Sequence, residues 1–145
     1  MPVRLAVRAV IVRKDRVLLV NAYPGGQSDL WCAPGGGVEA HSGLEDNLRR
    51  EVVEELGLNI TVGALCLVNE FHAPDRGFHQ VELFFRAQAE GEVPLGWTDS
   101  EGVVNRHIWA TRSMLPGMRV KPDSLEQVAW GDGPVRMDAL ERIVS

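Results

Sequence analysis

The sequence predicts an α/β (α+β) fold, an α/β/α sandwich in which a mixed sheet is flanked by helices, and three features lead to it. Short β-branched, apolar runs open the chain, one helix with regular apolar spacing interrupts them, and further strand-like runs precede a terminal helical region. At 145 residues the chain is expected to fold as one domain spanning 1–145, because that length can bury a contiguous core.

LAVRAVIV (5–12) and RVLLVNAY (16–23) are separated by Arg13-Lys14-Asp15 and predict a hairpin of two strands. PGGQSDLWCAPGGG (24–37) is rich in Gly and Pro and predicts a long loop, with Leu30-Trp31-Cys32 as a short extended piece. Loops of that length usually serve a function. Over 43–56, Leu44, Leu48, Val52 and Leu56 recur every four positions and Gly57 supplies a stop signal, so a helix is expected. Ser42-Gly43-Leu44-Glu45 fits a capping box at its start.

NITVGALCLVNEFHA (59–73) and HQVELFFRAQAE (79–90) read as strands joined by the turn-forming Pro74-Asp75-Arg76-Gly77, and a hairpin is expected. The polar stretch 91–105 reads as loop, His107-Ile108-Trp109-Ala110 as a short strand, and 111–116 and 123–130 as short helical pieces. The tail from Gly131 has no decisive pattern.

Composition bounds the function. A hydrophobic fraction of 45% and a charged fraction of 24% suit a soluble globular protein, and no apolar run is long enough to cross a membrane. Arg4 and Arg8 interrupt the N-terminal apolar run, which argues against a secretion signal. Cys32 and Cys66 sit among apolar neighbours without metal-ligand spacing, so core thiols and a cytoplasmic location are expected. The net charge of −5, with basic residues scattered, excludes polymeric nucleic acid as the natural partner. An acidic protein that handles phosphates needs a cation of its own.

The stretch LRREVVEELG (48–57) is where that cation would sit. Glu51 lies three and four residues before Glu54 and Glu55, so the three carboxylates share one helix face beside the apolar stripe. Each like-charge pair costs roughly 0.2–0.5 kcal/mol, and each acid in the final turns opposes the helix dipole by roughly 0.3–1 kcal/mol. A hard divalent ion, Mg²⁺ or Mn²⁺, would turn that repulsion into coordination. On spacing alone, a plain solvated acidic face stays equally open. Arg50, with Asp46 and Glu54 four residues to either side, reads on its own as a helix ion pair.

From Gly36 to Leu58 the chain closely resembles the Nudix box, G-x5-E-x7-R-E-U-x-E-E-x-G-U, the signature of the Nudix hydrolases. Gly36, Arg50, Glu51, Val52, Glu54, Glu55, Gly57 and Leu58 match in register, and the family's first glutamate falls on Ser42. The resemblance implies a hydrolase that cuts a pyrophosphate bond in a nucleoside diphosphate derivative, a nucleoside triphosphate, a nucleotide sugar or a similar small molecule, with Mg²⁺ or Mn²⁺. It also implies Glu54 and Glu55 as metal ligands, Glu51 as a ligand or the base that activates water, Arg50 as the residue orienting a carboxylate, and the Gly35 carbonyl as a further ligand. A homodimer fits the family.

Ser42 is the departure: a hydroxyl is a poor substitute for a carboxylate beside Mg²⁺, so fewer or weaker metal sites are expected. Glu39, Asp99 and Glu101 are candidates to supply the missing acid. Gly35, Gly36 and Gly37 let the loop pass close to helix and ligand. Trp31, Phe71 and Trp97 could stack on a base or pack in the core, and Trp97 and Glu101 are the substrate-side candidates. Arg8, Arg86, Arg106 and Arg112 could hold phosphates or be surface cations. No role falls to the histidines. Two rival readings stand beside the enzyme: a Nudix-fold module that binds a nucleotide without efficient catalysis, favoured by Ser42, and an interaction domain with an acidic helix.

Overall fold

The computed structural model describes residues 2–145. Strand β1 (Arg4–Arg13) turns through Lys14 and Asp15 into β2 (Arg16–Asn21), and Val12 faces Val17 across the antiparallel hairpin. Strand β1 is apolar on both faces because both are covered. Val7, Ala9 and Ile11 enter one core cluster, whereas Val10 enters another.

The 24–37 loop contains the expected extended piece, β3 (Leu30–Cys32), and also a strand where loop was expected. Gly35–Gly37 forms β4, antiparallel to β1 with Gly36 opposite Val7. Composition hid it. Gly35 adopts φ +150°, and a Cβ there would run into the Val7 carbonyl, so only glycine lets this ribbon lie so close to β1.

Helix α1 (Leu44–Leu56) ends at Gly57 in the left-handed conformation, φ 65°, as its stop signal predicts. Leu48, Val52 and Leu56 are buried in the first cluster, each side chain contributing roughly 1.5–3 kcal/mol of transfer free energy. The expected capping box does not form. The cap residue is Gly43, with no side-chain cap bond, and Ser42 is exposed. Asn47, fully buried, ties the preceding loop to the first turn instead: its Nδ2 donates to the carbonyls of Ser42 (3.1 Å) and Gly43 (2.8 Å), and its Oδ1 accepts from the Glu39 N–H (2.9 Å).

Strands β5 (Asn59–Ala73) and β6 (Phe78–Glu90) form the predicted hairpin across a 3₁₀ turn at Pro74–Arg76, and β6 runs parallel to β1. Strand β7 (His107–Thr111) pairs with β2, the expected piece near 111–116 is a 3₁₀ helix at Arg112–Gly117, and β8 (Arg119–Val120) pairs with β3. Helix α2 (Leu125–Ala129) buries Leu125, Val128 and Ala129 in the second cluster, opposite α1 across the mixed sheet. The predicted sandwich is the observed one.

The tail resolves into two short strands, β9 (Arg136–Met137) and β10 (Glu141–Arg142), both parallel to β5. They extend the sheet at its outer edge. Cys32 and Cys66 are free thiols, the latter buried. Among the described residues, no helix is long and apolar enough to cross a membrane.

Candidate active site

Helix α1 aims its acids at two different places. Carboxylate oxygens of Glu51, Glu54 and Glu101 lie within 4.8 Å of one another. Glu51 is buried, Glu54 half-buried and Glu101 exposed, so the group opens to solvent on one side. Burial pushes the carboxyls of Glu51 and Glu54 above their ordinary range, and Glu101 raises both further.

Glu55 does not belong to that group. It turns toward β4, where it accepts a hydrogen bond from the Gly35 N–H at 3.1 Å. Burial pushes its carboxyl up to about 8, against the opposing pull of Arg8 and of the Gly35 bond. Of the three helix acids expected to act together, Glu51 and Glu54 meet with the loop acid Glu101, while Glu55 stands on the β4 side of them. Glu101 is one of the three acids that the sequence offered in place of Ser42.

Asp99 and Glu39, the other candidate acids, are engaged otherwise. Asp99 is buried, and its carboxylate accepts from the N–H groups of Glu101 (2.9 Å), Val103 (3.3 Å) and Val104 (2.9 Å). It shapes the loop that presents Glu101. Glu39 pairs with Arg50 at 3.2 Å. Arg50 also bonds Glu51 at 3.0 Å, Asn47 Oδ1 at 2.8 Å and the Gly37 carbonyl at 3.3 Å, and lies 3.6 Å from Glu54. One guanidinium thus ties the helix to β4, more than the simple i,i+4 pair its spacing suggests.

The glycine ribbon is the partition of the site. A Cβ on Gly36 would lie 2.5 Å from Glu51 Oε2, and one on Gly37 would lie 2.6 Å from an Arg4 nitrogen, so alternate residues of β4 face the acids and the opposite side of the sheet. The Gly35 carbonyl accepts from Arg8 Nη1 at 3.3 Å, which engages one of its lone pairs.

Beyond the ribbon, on the side of Arg4 and Arg8, lies a cavity of about 240 Å³. Arg8 is held there by Glu82 at 2.8 Å; burial opposes its charge, and Glu82, Cys32 and Glu55 together more than restore it. It is not a free phosphate cation. Arg86 donates to the Val128 carbonyl, Arg106 lies over Trp31, and Arg112 pairs with Glu126, so these three are also engaged. Phe71 lines the cavity. Trp31 packs against the second core cluster. Trp97, a substrate-side candidate, lies outside this cavity: its ring lies on Gly57 and its Nε1 donates to the Glu54 carbonyl at 3.0 Å.

Asn69, Gln80 and Glu82 went unnoticed in the sequence. Their signal was present: Gln80 and Glu82 alternate with Phe84, a fully buried core residue, so both had to point inward from the same strand face.

A mixed sheet between helices, with an acidic helix against a glycine ribbon, is the architecture of a phosphohydrolase family, and comparison with known proteins agrees. The NUDIX domain model matches residues 2–130. Diphosphoinositol polyphosphate phosphohydrolase 3-alpha of Mus musculus is 30% identical over 129 residues, covering 84% of this chain and 74% of the relative. The crystal structure of a MutT NUDIX hydrolase from Burkholderia pseudomallei superposes with a TM-score of 0.73 at 27% identity, covering 88% of this chain and 99% of that one. A NUDIX hydrolase from Nitrosomonas europaea shares the fold with a TM-score of 0.74 at 22% identity, covering 88% and 86%. The chain belongs to the NUDIX family and is a Nudix pyrophosphohydrolase.

Proposed function

We propose that this chain hydrolyses a pyrophosphate bond in a nucleoside diphosphate derivative, with a divalent cation, Mg²⁺ or Mn²⁺, held by Glu51, Glu54 and Glu101. The observation that carries the reading is the meeting of three carboxylates within 4.8 Å beside the guanidinium of Arg50. The donor set suits a hard cation, and Glu54 Oε2 is buried with no hydrogen-bond partner, a lone pair that a cation would satisfy.

When bound, the ion supplies charge neutralisation on the phosphate oxygens and lowers the pKa of water. The chain's own residues do the rest. Arg50 fixes the Glu51 carboxylate through its 3.0 Å bond. Asp99 holds the backbone that carries Glu101. Glu55, positioned by the Gly35 N–H and with its affinity for protons raised, is the group suited to hold a proton beside the ribbon. A cytoplasmic homodimer completes the proposal, the location resting on the two free thiols and the assembly on the family resemblance.

Ser42, exposed where the family signature has an acid, favours a second reading, a nucleotide-binding module of low turnover. One experiment separates the two. Nucleoside triphosphates, nucleotide sugars and other diphosphate derivatives are incubated with and without Mg²⁺ or Mn²⁺, using the native chain and Glu54→Gln. The enzyme reading expects metal-dependent release of a monophosphate product that the variant loses. Metal binding with no turnover on any of them would leave the binding module.

A further inference from the structure

The tail beyond α2 lies along the outer edge of β5 without joining either core cluster. Every residue from 131 to 145 is half-buried or exposed. What fastens the segment is polar. The Asp138 N–H donates to the Val68 carbonyl at 3.0 Å and the Ile143 N–H to the His72 carbonyl at 2.9 Å. The Ser124 hydroxyl donates to Asp138 Oδ2, the Tyr23 hydroxyl to the Val144 carbonyl and Arg119 Nη2 to an oxygen of Ser145, each at 2.6 Å. Such bonds within reach of water have a small net worth each, so a segment held by them opens far more readily than the core strands.

The tail also stands between two spaces. Tyr23, Arg142, Ile143 and Val144 line both the cavity beyond the glycine ribbon, of about 240 Å³, and an outer hollow of about 390 Å³. A wall one strand thick, with open space behind it, has room to swing outward.

Register sends one acid of the tail inward. Glu141 pairs with Phe71, which lines the cavity, and Glu141 lines it too, with its carboxylate 3.6 Å from Lys121 Nζ. Asp123, the other partner of Lys121 at 3.2 Å, does not line the cavity. Arg4, Arg8, Lys121 and Arg142 face two carboxylates there, Glu82 and Glu141. Arg8 is tied to Glu82, and among the described residues Arg4 and Arg142 have no ion pair. The surplus is positive and suits an anionic group, and Glu141 is a carboxylate that the chain itself lays against one of those cations.

We propose that residues 131–145 are an autoinhibitory strap: Glu141 holds at Lys121 the place of a ligand's anionic group, and an anionic ligand displaces the strap from the edge of β5 as it enters. The inference rests on the pyrophosphohydrolase reading only in taking the cavity as a ligand site. It concerns a segment outside the matched residues 2–130.

Tripolyphosphate in metal-free buffer is the probe, because it supplies the anion and leaves the acid cluster out. Hydrogen exchange of residues 131–145, read by mass spectrometry on the full chain, should quicken about tenfold when tripolyphosphate saturates the protein. By calorimetry, Glu141→Gln should bind tripolyphosphate about tenfold more tightly than the native chain, the equivalent of about 1.4 kcal/mol. In a Lys121→Gln background the same substitution should change affinity by less than about twofold, which separates competition at Lys121 from a general loss of negative charge.

Unchanged or slower exchange of 131–145 with tripolyphosphate overturns the inference, because the tail is then a fixed wall or a lid that closes. An equal gain from Glu141→Gln in both backgrounds overturns it, as does failure of tripolyphosphate to bind either the native chain or Glu141→Gln. None of these readings needs turnover. A chain that hydrolyses nothing yet opens its strap upholds the inference and removes the enzyme reading, and metal-dependent hydrolysis with a strap that stays closed does the reverse.

Discussion

The Glu55 carboxylate sits 3.1 Å from the Gly35 N–H, so the last turn of α1 is fastened to the first residue of the glycine ribbon through a group that prefers to be protonated at neutral pH. Burial places its pKa at about 8, against an ordinary value of 4.5. The folded chain therefore binds a proton more tightly than the unfolded chain between those values. Stability of the metal-free protein should fall as pH rises from about 4.5 to about 8 and level off above, by up to a few kcal/mol in all. Urea midpoints at pH 5 and pH 8, taken in a chelator, check the sign. Glu55→Gln should flatten the slope; a variant that keeps the native slope would assign it to another group.

Gly35 and Gly36 separate structural from chemical damage. Gly35→Ala places a Cβ in the Val7 carbonyl at φ +150° and should destabilise the fold by roughly 3 kcal/mol. Gly36→Ala meets a side chain instead, 2.5 Å from Glu51 Oε2. It should leave stability within about 1 kcal/mol and sharply reduce metal-dependent turnover, because the displaced carboxylate belongs to the cluster. Thermal melting and turnover measured on both variants give opposite rankings if the ribbon works this way.

Asp99 acts at one remove from the cluster. Its two oxygens receive three backbone N–H groups, and Asn in its place keeps one acceptor oxygen and no charge. Asp99→Asn should cost about 1–2 kcal/mol of stability and weaken Mn²⁺ affinity by roughly tenfold although every acid of the cluster remains. Manganese titration followed by electron paramagnetic resonance reads the affinity directly. Unchanged affinity would mean that Glu101 keeps its place without the loop bonds.

Fold and site were legible to different depths. The strands and α1 were readable because their apolar spacing reports a local property, and Gly57 marks a stop that depends on its own backbone. Strand β4 was hidden because three glycines have no side-chain pattern, and only Val7 across the ladder shows that they pair. The capping box expected at Ser42 is a local motif and does not form, whereas the loop before the helix is fastened by Asn47, which reaches back to Glu39 and Ser42. Glu51 and Glu54 were legible from their spacing. Glu101 as their partner, and the pairing of Asn69 with Glu82, depend on chain segments that meet only in three dimensions.

Trp97 offers the last check, because its sequence context suggested a base-stacking residue and its position suggests a clamp on α1. The indole covers Gly57, where a Cβ would lie 2.7 Å from the ring, and Nε1 donates to the Glu54 carbonyl at 3.0 Å, one of the carbonyls a helix end leaves free. Trp97→Phe keeps most of the packing and loses that bond, so it should cost about 1 kcal/mol. Gly57→Ala strains φ 65° and pushes the ring away, for roughly 1–2 kcal/mol. The two losses should not add, since each variant disturbs the same contact. KM for the nucleotide substrate should stay within about twofold in Trp97→Phe, half a kcal/mol or less by the affinity relation. A KM raised tenfold with stability unchanged would return Trp97 to the substrate.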